Sequence, residues 1–213
     1  MAFRPFERST RMDAKHYFTD NRDLPSRKRE MKYFFLGTEY TFTVDDGVFS
    51  KREVDYGTHT LLKALSEEPV SGSVLDLGCG YGVIGTVLKK NFPDITLTAV
   101  DVNPRAAELA EENAVKNGTP FEVLVSDGFE EIRERVFDVV VTNPPIRAGK
   151  KVIYRMFEDA SAHLREGGRF YAVIRRNQGA ESAMNRLAEL FGSCDLIDRD
   201  RGYWVLKCVK AGN

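Results

Sequence analysis

Residues 73–85 constrain this chain more than any other stretch. Ser73-Val74-Leu75-Asp76-Leu77-Gly78-Cys79-Gly80-Tyr81-Gly82-Val83-Ile84-Gly85 is a short apolar run carrying an acid, a crowd of glycines, then an apolar-periodic segment. The pattern predicts a buried strand, a tight turn and the start of a helix. Glycine lacks the Cβ that would hold a ligand away from the backbone. The first turn of the helix leaves unpaired N–H groups facing whatever fills the loop. The stretch therefore predicts a loop that cradles a cofactor.

Downstream, strands and helices alternate. Strands are expected over 74–77, 95–100, 121–125, 137–142 and 169–174. Helices are expected over 83–91, 104–117, 151–164 and 180–191, with a short acidic one around 130–134. Pro104 in a first turn and Asn117-Gly118 at an end are helix boundary signals. Two closing strands, 193–198 and 202–209, have only a short link, so they form a hairpin and one runs antiparallel. This is an α/β pattern: a doubly wound, mainly parallel seven-stranded sheet, covered on both faces, with an antiparallel last strand.

Upstream, residues 33–49 are β-rich and predict a small hairpin, with Asp45-Asp46-Gly47 as a turn signal. A helix is expected over 55–65. Residues 1–32 read as a basic leader, densest at Arg27-Lys28-Arg29: either a solvated segment or an arm on a phosphate backbone. Residues 33–213 are expected to form one domain. At 213 residues and 42% hydrophobic, the chain can bury a sizeable core. A net charge of −1 gives no global pull toward nucleic acid, so only a local patch could supply one. No apolar run reaches membrane-spanning length and no signal core opens the chain. Cys79, Cys194 and Cys208 are far apart in sequence and include no CxxC pair, so neither a disulfide framework nor a zinc site is suggested. A cytoplasmic location is the default expectation. His16, His59 and His163 are scattered, and they read as structural or surface residues.

Gly80-Tyr81-Gly82-Val83-Ile84-Gly85 matches the dinucleotide pattern GxGxxG, with Asp101 about 20 residues on where a ribose-binding acid belongs. Two features oppose a dinucleotide. Asp76 directly before the glycines suits a cationic ligand better than a pyrophosphate. Asn143-Pro144-Pro145-Ile146, after the fourth strand, has no task in hydride transfer. S-adenosyl-L-methionine carries an ammonium and a sulfonium and no phosphate.

On these residues the chain resembles the class I S-adenosylmethionine-dependent methyltransferases. Asp76-Leu77-Gly78-Cys79-Gly80-Tyr81-Gly82 is similar to their first motif, Asp101 to their ribose-binding acid, and Asn143-Pro144-Pro145-Ile146 to their amino-methylating motif. Asp46-Gly47-Val48-Phe49-Ser50 and Val54-Asp55-Tyr56-Gly57 resemble the bacterial ribosomal RNA guanine-N2 methyltransferases. Those enzymes carry two related halves, and this chain has room for the catalytic one. The resemblance implies that Asp76, Gly78, Gly80, Asp101, Val102, Asp127 and Gly128 bind the cofactor, with Asp127 toward the adenine. It implies RNA, ribosomal RNA or a ribosomal particle, as partner.

Methyl transfer to nitrogen is an in-line displacement at the sulfonium methyl. An exocyclic amine is a poor nucleophile because its lone pair is delocalised into the ring. Two acceptors, the Asn143 side-chain oxygen and the Pro144 carbonyl, would rotate and pyramidalise it. Pro144 and Pro145 keep this segment extended and rigid. No metal and no covalent intermediate are expected. Ile146, Arg147 and Lys150 follow at the mouth of the expected site as substrate-facing candidates, and Arg175-Arg176 would open onto the same sheet edge. Two structural alternatives stand beside these roles: Asp101 as a cap for the helix at Pro104, and Asp127-Gly128 as a simple turn. Protein glutamine-amide and adenine-N6 methylation are alternatives, although those enzymes carry an aromatic where Ile146 stands. A non-catalytic cofactor-binding module and a nicotinamide-dependent oxidoreductase are alternatives of other classes. Oligomeric state is left open.

Overall fold

The computed structural model describes residues 27–45 and 53–212. Most of the basic leader, His16, the Asp46-Gly47 turn and the Asp46–Ser50 resemblance with Phe49 lie outside the described residues. An N-terminal hairpin pairs β1 (Lys28–Phe35) with β2 (Thr38–Asp45). Its first strand takes in Lys28 and Arg29 of the basic stretch. Then come α1 (Tyr56–Ser66), β3 (Ser73–Leu77), α2 (Val83–Asn91), β4 (Thr96–Asp101), α3 (Pro104–Lys116) and β5 (Glu122–Val125). The chain continues with β6 (Phe137–Thr142), α4 (Lys150–Ala162), β7 (Leu164–Arg175), α5 (Ala180–Phe191), β8 (Gly192–Asp200) and β9 (Tyr203–Lys210). The acidic segment forms a single 3-10 turn, Glu130–Ile132.

The seven main strands lie in the order β5-β4-β3-β6-β7-β9-β8. Pairings from β5 through β7 are parallel, and β9 is antiparallel to both neighbours. The two-residue turn Arg201-Gly202 forces the β8–β9 pairing to be antiparallel, since a link so short joins only antiparallel strands. So β8 sits at the edge, and β9 returns between it and β7. Sequence periodicity places β7 from residue 169, but the strand starts at Leu164, where Leu164 pairs with Phe137 ahead of a register shift.

Alternate residues of the central strands face two cores. Val74, Val139, Val141 and Tyr171 pack under α1, α2, α3 and the hairpin. Leu75, Leu77, Val140 and Phe170 pack under α4 and α5. Both faces being covered explains why Val139-Val140-Val141 is continuously apolar rather than alternating. Among the described residues, no helix is long and apolar enough to cross a membrane.

The hairpin is fastened by α3. Thr43 N–H donates to Asn113 Oδ1 (2.6 Å), while Asn113 Nδ2 donates to the Thr43 carbonyl (2.9 Å). One turn later Asn117 makes the same reciprocal pair with Thr41, at 3.0 Å in each direction. Two asparagines four residues apart thus imitate a neighbouring strand and satisfy the open edge of β2. Asn113 Nδ2 also donates to the Tyr81 carbonyl (2.8 Å), tying the hairpin to the glycine loop.

Candidate active site

All the candidate residues except those after Ile146 gather at one edge of the sheet, where the parallel strands end. Across that edge stand Asp127 after β5, Asp101 ending β4, Gly78 after β3 and Asn143 after β6. The order of the sheet reverses between β3 and β6, which is the crevice where open α/β sheets take ligands.

The glycine loop uses its glycines in two ways. Gly78 and Gly80 have φ of 74° and 55°, and a Cβ on either would project into open space. They leave the outer side of the loop open. At Gly82 a Cβ would come within 2.8 Å of Ala110 Cα on α3, and at Gly85 within 2.8 Å of Phe121. These two serve packing. The match to GxGxxG therefore mixes a cradle with helix and loop contacts. Gly78 and Cys79 N–H both donate to the Val100 carbonyl, at 2.9 and 3.0 Å, which fixes the turn.

Asp76 is fully buried beneath this loop. Its Oδ2 accepts from Gly85 N–H in the first turn of α2 (2.9 Å), so it caps a helix whose own N-cap, Gly82, has no side chain to do so. Its Oδ1 is buried without a hydrogen-bond partner among the described residues. Burial, with nearby Asp101 adding repulsion, pushes the Asp76 carboxyl up to about 7 against the pull of the Gly85 N–H. Asp101 Oδ2 accepts from Gly80 N–H (2.8 Å) and Oδ1 from Asn103 N–H (2.9 Å). Asp101 does not cap α3: Asn103 does, accepting from Arg105 N–H at 3.1 Å. Burial raises the Asp101 carboxyl despite these two bonds. Val102 is half-buried beside it. Asp127 is exposed, in a turn held by Ser126, whose Oγ donates to the Gly128 carbonyl (3.0 Å).

Asn143 is oriented by residues whose part in the site the sequence did not reveal. Its Nδ2 donates to Asp55 Oδ2 and to Thr58 Oγ1, each at 2.9 Å. Both amide hydrogens are consumed, and the side-chain oxygen is left as an acceptor. Asp55 simultaneously caps α1 through Thr58 N–H (3.1 Å). The pattern Asp55-x-x-Thr58 before an apolar helix is a legible cap signal, but its partner 88 positions on is not. Pro144 is buried, and its carbonyl has no hydrogen-bond partner among the described residues. The Pro145 carbonyl, by contrast, accepts from Ala148 N–H within a turn (2.8 Å).

Ile146 is half-buried against the α4–α5 core. Arg147 is exposed. Lys150 Nζ donates to Ser182 Oγ on α5 (3.0 Å) and lies 5.0 Å from the Tyr154 ring centroid, so it is tied to the helical layer. His59 meets the Tyr33 hydroxyl (2.9 Å) under the hairpin, and His163 stacks on Phe129 (4.3 Å between centroids). Cys194 and Cys208, distant in sequence, face each other across β8 and β9 with sulfurs 2.7 Å apart.

Comparisons with known proteins agree with this geometry. The Methyltransferase small domain family matches residues 39–207. The uncharacterized protein YbxB of Bacillus subtilis is 41% identical over 92% of this chain and 99% of its own. Ribosomal RNA small subunit methyltransferase C of Shewanella pealeana is 34% identical over 77% of this chain. A solved T. thermophilus 16S rRNA N2 G1207 methyltransferase, in complex with AdoMet and guanosine, superposes with a TM-score of 0.79 at 33% identity over 88% of this chain. The chain spans about half the length of those two RNA methyltransferases, 48% and 52% respectively. With the strand order, the glycine loop and the Asn-Pro-Pro turn in place, the chain belongs to the Methyltransferase small domain family.

Proposed function

We propose that this protein is an S-adenosylmethionine-dependent N-methyltransferase acting on guanine N2 of ribosomal RNA in the cytoplasm, with the hairpin and the seven-stranded sheet as one catalytic domain. The observation that carries the reading is the Asn143 amide. With both N–H groups spent on Asp55 and Thr58, it offers only an oxygen, which suits a substrate N–H and not a carbonyl.

The residues fit the cofactor. The unpartnered Asp76 Oδ1 and the open side of Gly78 and Gly80 suit a cationic, phosphate-free ligand. The buried Asp76 and half-buried Asp101 carboxyls beneath the loop make it a poor seat for a pyrophosphate. In this reading Asp76, Gly78 and Gly80 hold the amino-acid end. Asp101 and Val102 hold the ribose, and Asp127 and Gly128 hold the adenine. When bound, the cofactor supplies an electrophilic methyl. Asn143 Oδ1 and the Pro144 carbonyl accept the two N–H groups of the guanine amine and turn its lone pair out of conjugation. Pro145 stiffens the turn behind them and Ile146 forms an apolar wall, while Arg147 is exposed just beyond it and Lys150 is held on the helical layer by Ser182. Neither acceptor need be a strong base, because the amine becomes acidic as it is methylated. The named relatives, one solved with AdoMet and guanosine, support guanine over adenine and over glutamine amides.

Asn143→Ala should bind S-adenosylmethionine as wild type does in calorimetry and lose about 100-fold or more in kcat, the usual cost of removing a preorganised group at the reacting centre. Labelled cofactor with ribosomal RNA from a deletion strain should give N2-methylguanine on nucleoside analysis. N6-methyladenine, or label in protein, would overturn the substrate assignment. Unchanged turnover of Asn143→Ala would overturn the mechanism.

A further inference from the structure

The sheet edge is electrically divided at Asn143. On the β3–β4–β5 side it carries Asp76, Asp101 and Asp127. On the β7–β9–β8 side it carries Arg175, Arg176, Arg199 and Arg201, all exposed. Of the acids on β8, Asp198 lies 3.7 Å from Lys63, and Asp200 accepts from the Tyr56 hydroxyl (2.6 Å), its carboxyl held low by that bond and by nearby Arg201. Arg175, Arg176 and Arg201 form no ion pair among the described residues.

Two of these arginines are laid on tyrosines. The Arg201 guanidinium lies 4.5 Å from the Tyr56 ring centroid, and that of Arg175 lies 5.5 Å from the Tyr203 ring centroid. The rings are themselves adjacent, with centroids 6.2 Å apart. Stacking spends the flat face of a guanidinium and leaves its N–H edge free, the form suited to phosphate. Tyr203 packs against Gly57, where any Cβ would lie 2.8 Å from the Tyr203 ring and 2.9 Å from Asp55 Oδ2. The cluster therefore adjoins the carboxylate that holds Asn143. Arg201 is also placed at a cost. It has φ of 44° in the first position of a two-residue turn, where Asn or Gly is the relaxed choice. Backbone strain of this kind persists where a side chain is needed in place.

We propose that this half of the edge is the track for the RNA backbone, with Arg175, Arg176 and Arg201 taking phosphates next to the target guanine. Strands are spaced about 4.8 Å apart, so β7 and β9 end about 5 and 10 Å from β6. That is the reach of the nucleotides flanking a base drawn out of its stack to meet Asn143. The cationic cofactor lies on the acidic half and the polyanion on the basic half, each repelled from the other's place. The inference rests on the proposed RNA methylation.

The test is methyl transfer to protein-free ribosomal RNA from a deletion strain, from 50 to 200 mM KCl, beside calorimetry with S-adenosylmethionine. The triple variant Arg175→Gln/Arg176→Gln/Arg201→Gln should raise KM for RNA at least tenfold and keep its cofactor affinity. Its plot of log(kcat/KM) against log salt should be shallower by about 2, at about 0.7 for each single-strand phosphate that the variant leaves unneutralised. Arg201→Gly alone should raise the denaturation midpoint, by relieving the turn, and still raise KM. An unchanged KM and salt slope in the triple variant, with wild type active on RNA, would overturn the track and leave the methyltransferase reading standing. Equal losses in cofactor affinity would show a structural effect and overturn it too. A wild type that labels protein and not RNA would remove both.

Discussion

Replacing Asp76 with Asn should stabilise the ligand-free protein at high pH and remove its hold on the cofactor. The Asp76 carboxyl is pushed from an ordinary 3.8 up to about 7, chiefly by burial. In the unfolded chain it ionises near pH 4. As pH rises from about 4 to 7 the unfolded state gives up its proton and the folded state keeps it, so stability falls across that window and is level above it. The span corresponds to roughly 4 kcal/mol at about 1.36 kcal/mol per pH unit. Asn keeps an oxygen for Gly85 N–H but turns a new donor into the space around the unpartnered Oδ1, a cost of about 1–3 kcal/mol. Relative to wild type, the variant should therefore be about 1–3 kcal/mol less stable at pH 4 and about 1–3 kcal/mol more stable at pH 8. Urea denaturation at the two pH values measures this. Carboxylates shifted the other way, such as Glu112, Glu122 and Asp138, are common to both proteins and cancel in the difference. Wild-type affinity for S-adenosylmethionine should also weaken about tenfold for each pH unit below 7, because the cation needs the ionised carboxyl. A variant whose stability difference is the same at pH 4 and pH 8 would refute the account of Asp76 as a strained anion awaiting a cation.

Other outcomes follow from the same contacts. Thr58→Val removes one of two bonds that orient Asn143 and should lower kcat roughly tenfold with little change in cofactor affinity, while Thr58→Ser restores it; equal activity of the two variants would dismiss Thr58 as a positioning residue. Asn113→Ala removes the bonds to the Thr43 N–H, the Thr43 carbonyl and the Tyr81 carbonyl, and should cost about 2–4 kcal/mol in urea denaturation. A loss below about 0.5 kcal/mol would show that the hairpin is not held by α3.

Local pattern carried much of this protein. Helices α2 and α5 and strand β6 lie at the residues that periodicity and glycine punctuation predict, because their signals are contained in one turn or one strand. The glycine loop was legible for the same reason: Asp76 and the glycines that follow it are neighbours in sequence, and their chemistry alone opposed a phosphate ligand. Contacts across long separations were not legible. The division of the glycines into Gly78 and Gly80, which face open space, and Gly82 and Gly85, which serve packing, depends on Ala110 and Phe121 arriving beside them. The cap on α3 belongs to Asn103 rather than Asp101 because the loop's own N–H groups reach Asp101 first. Cys194 and Cys208 meet only through the β8–β9 register. Above all, sequence supplied Asn143 with its prolines, a residue able either to donate or to accept. Only the tertiary structure, by bringing Asp55 and Thr58 from the start of α1 onto its two N–H groups, decided that it accepts.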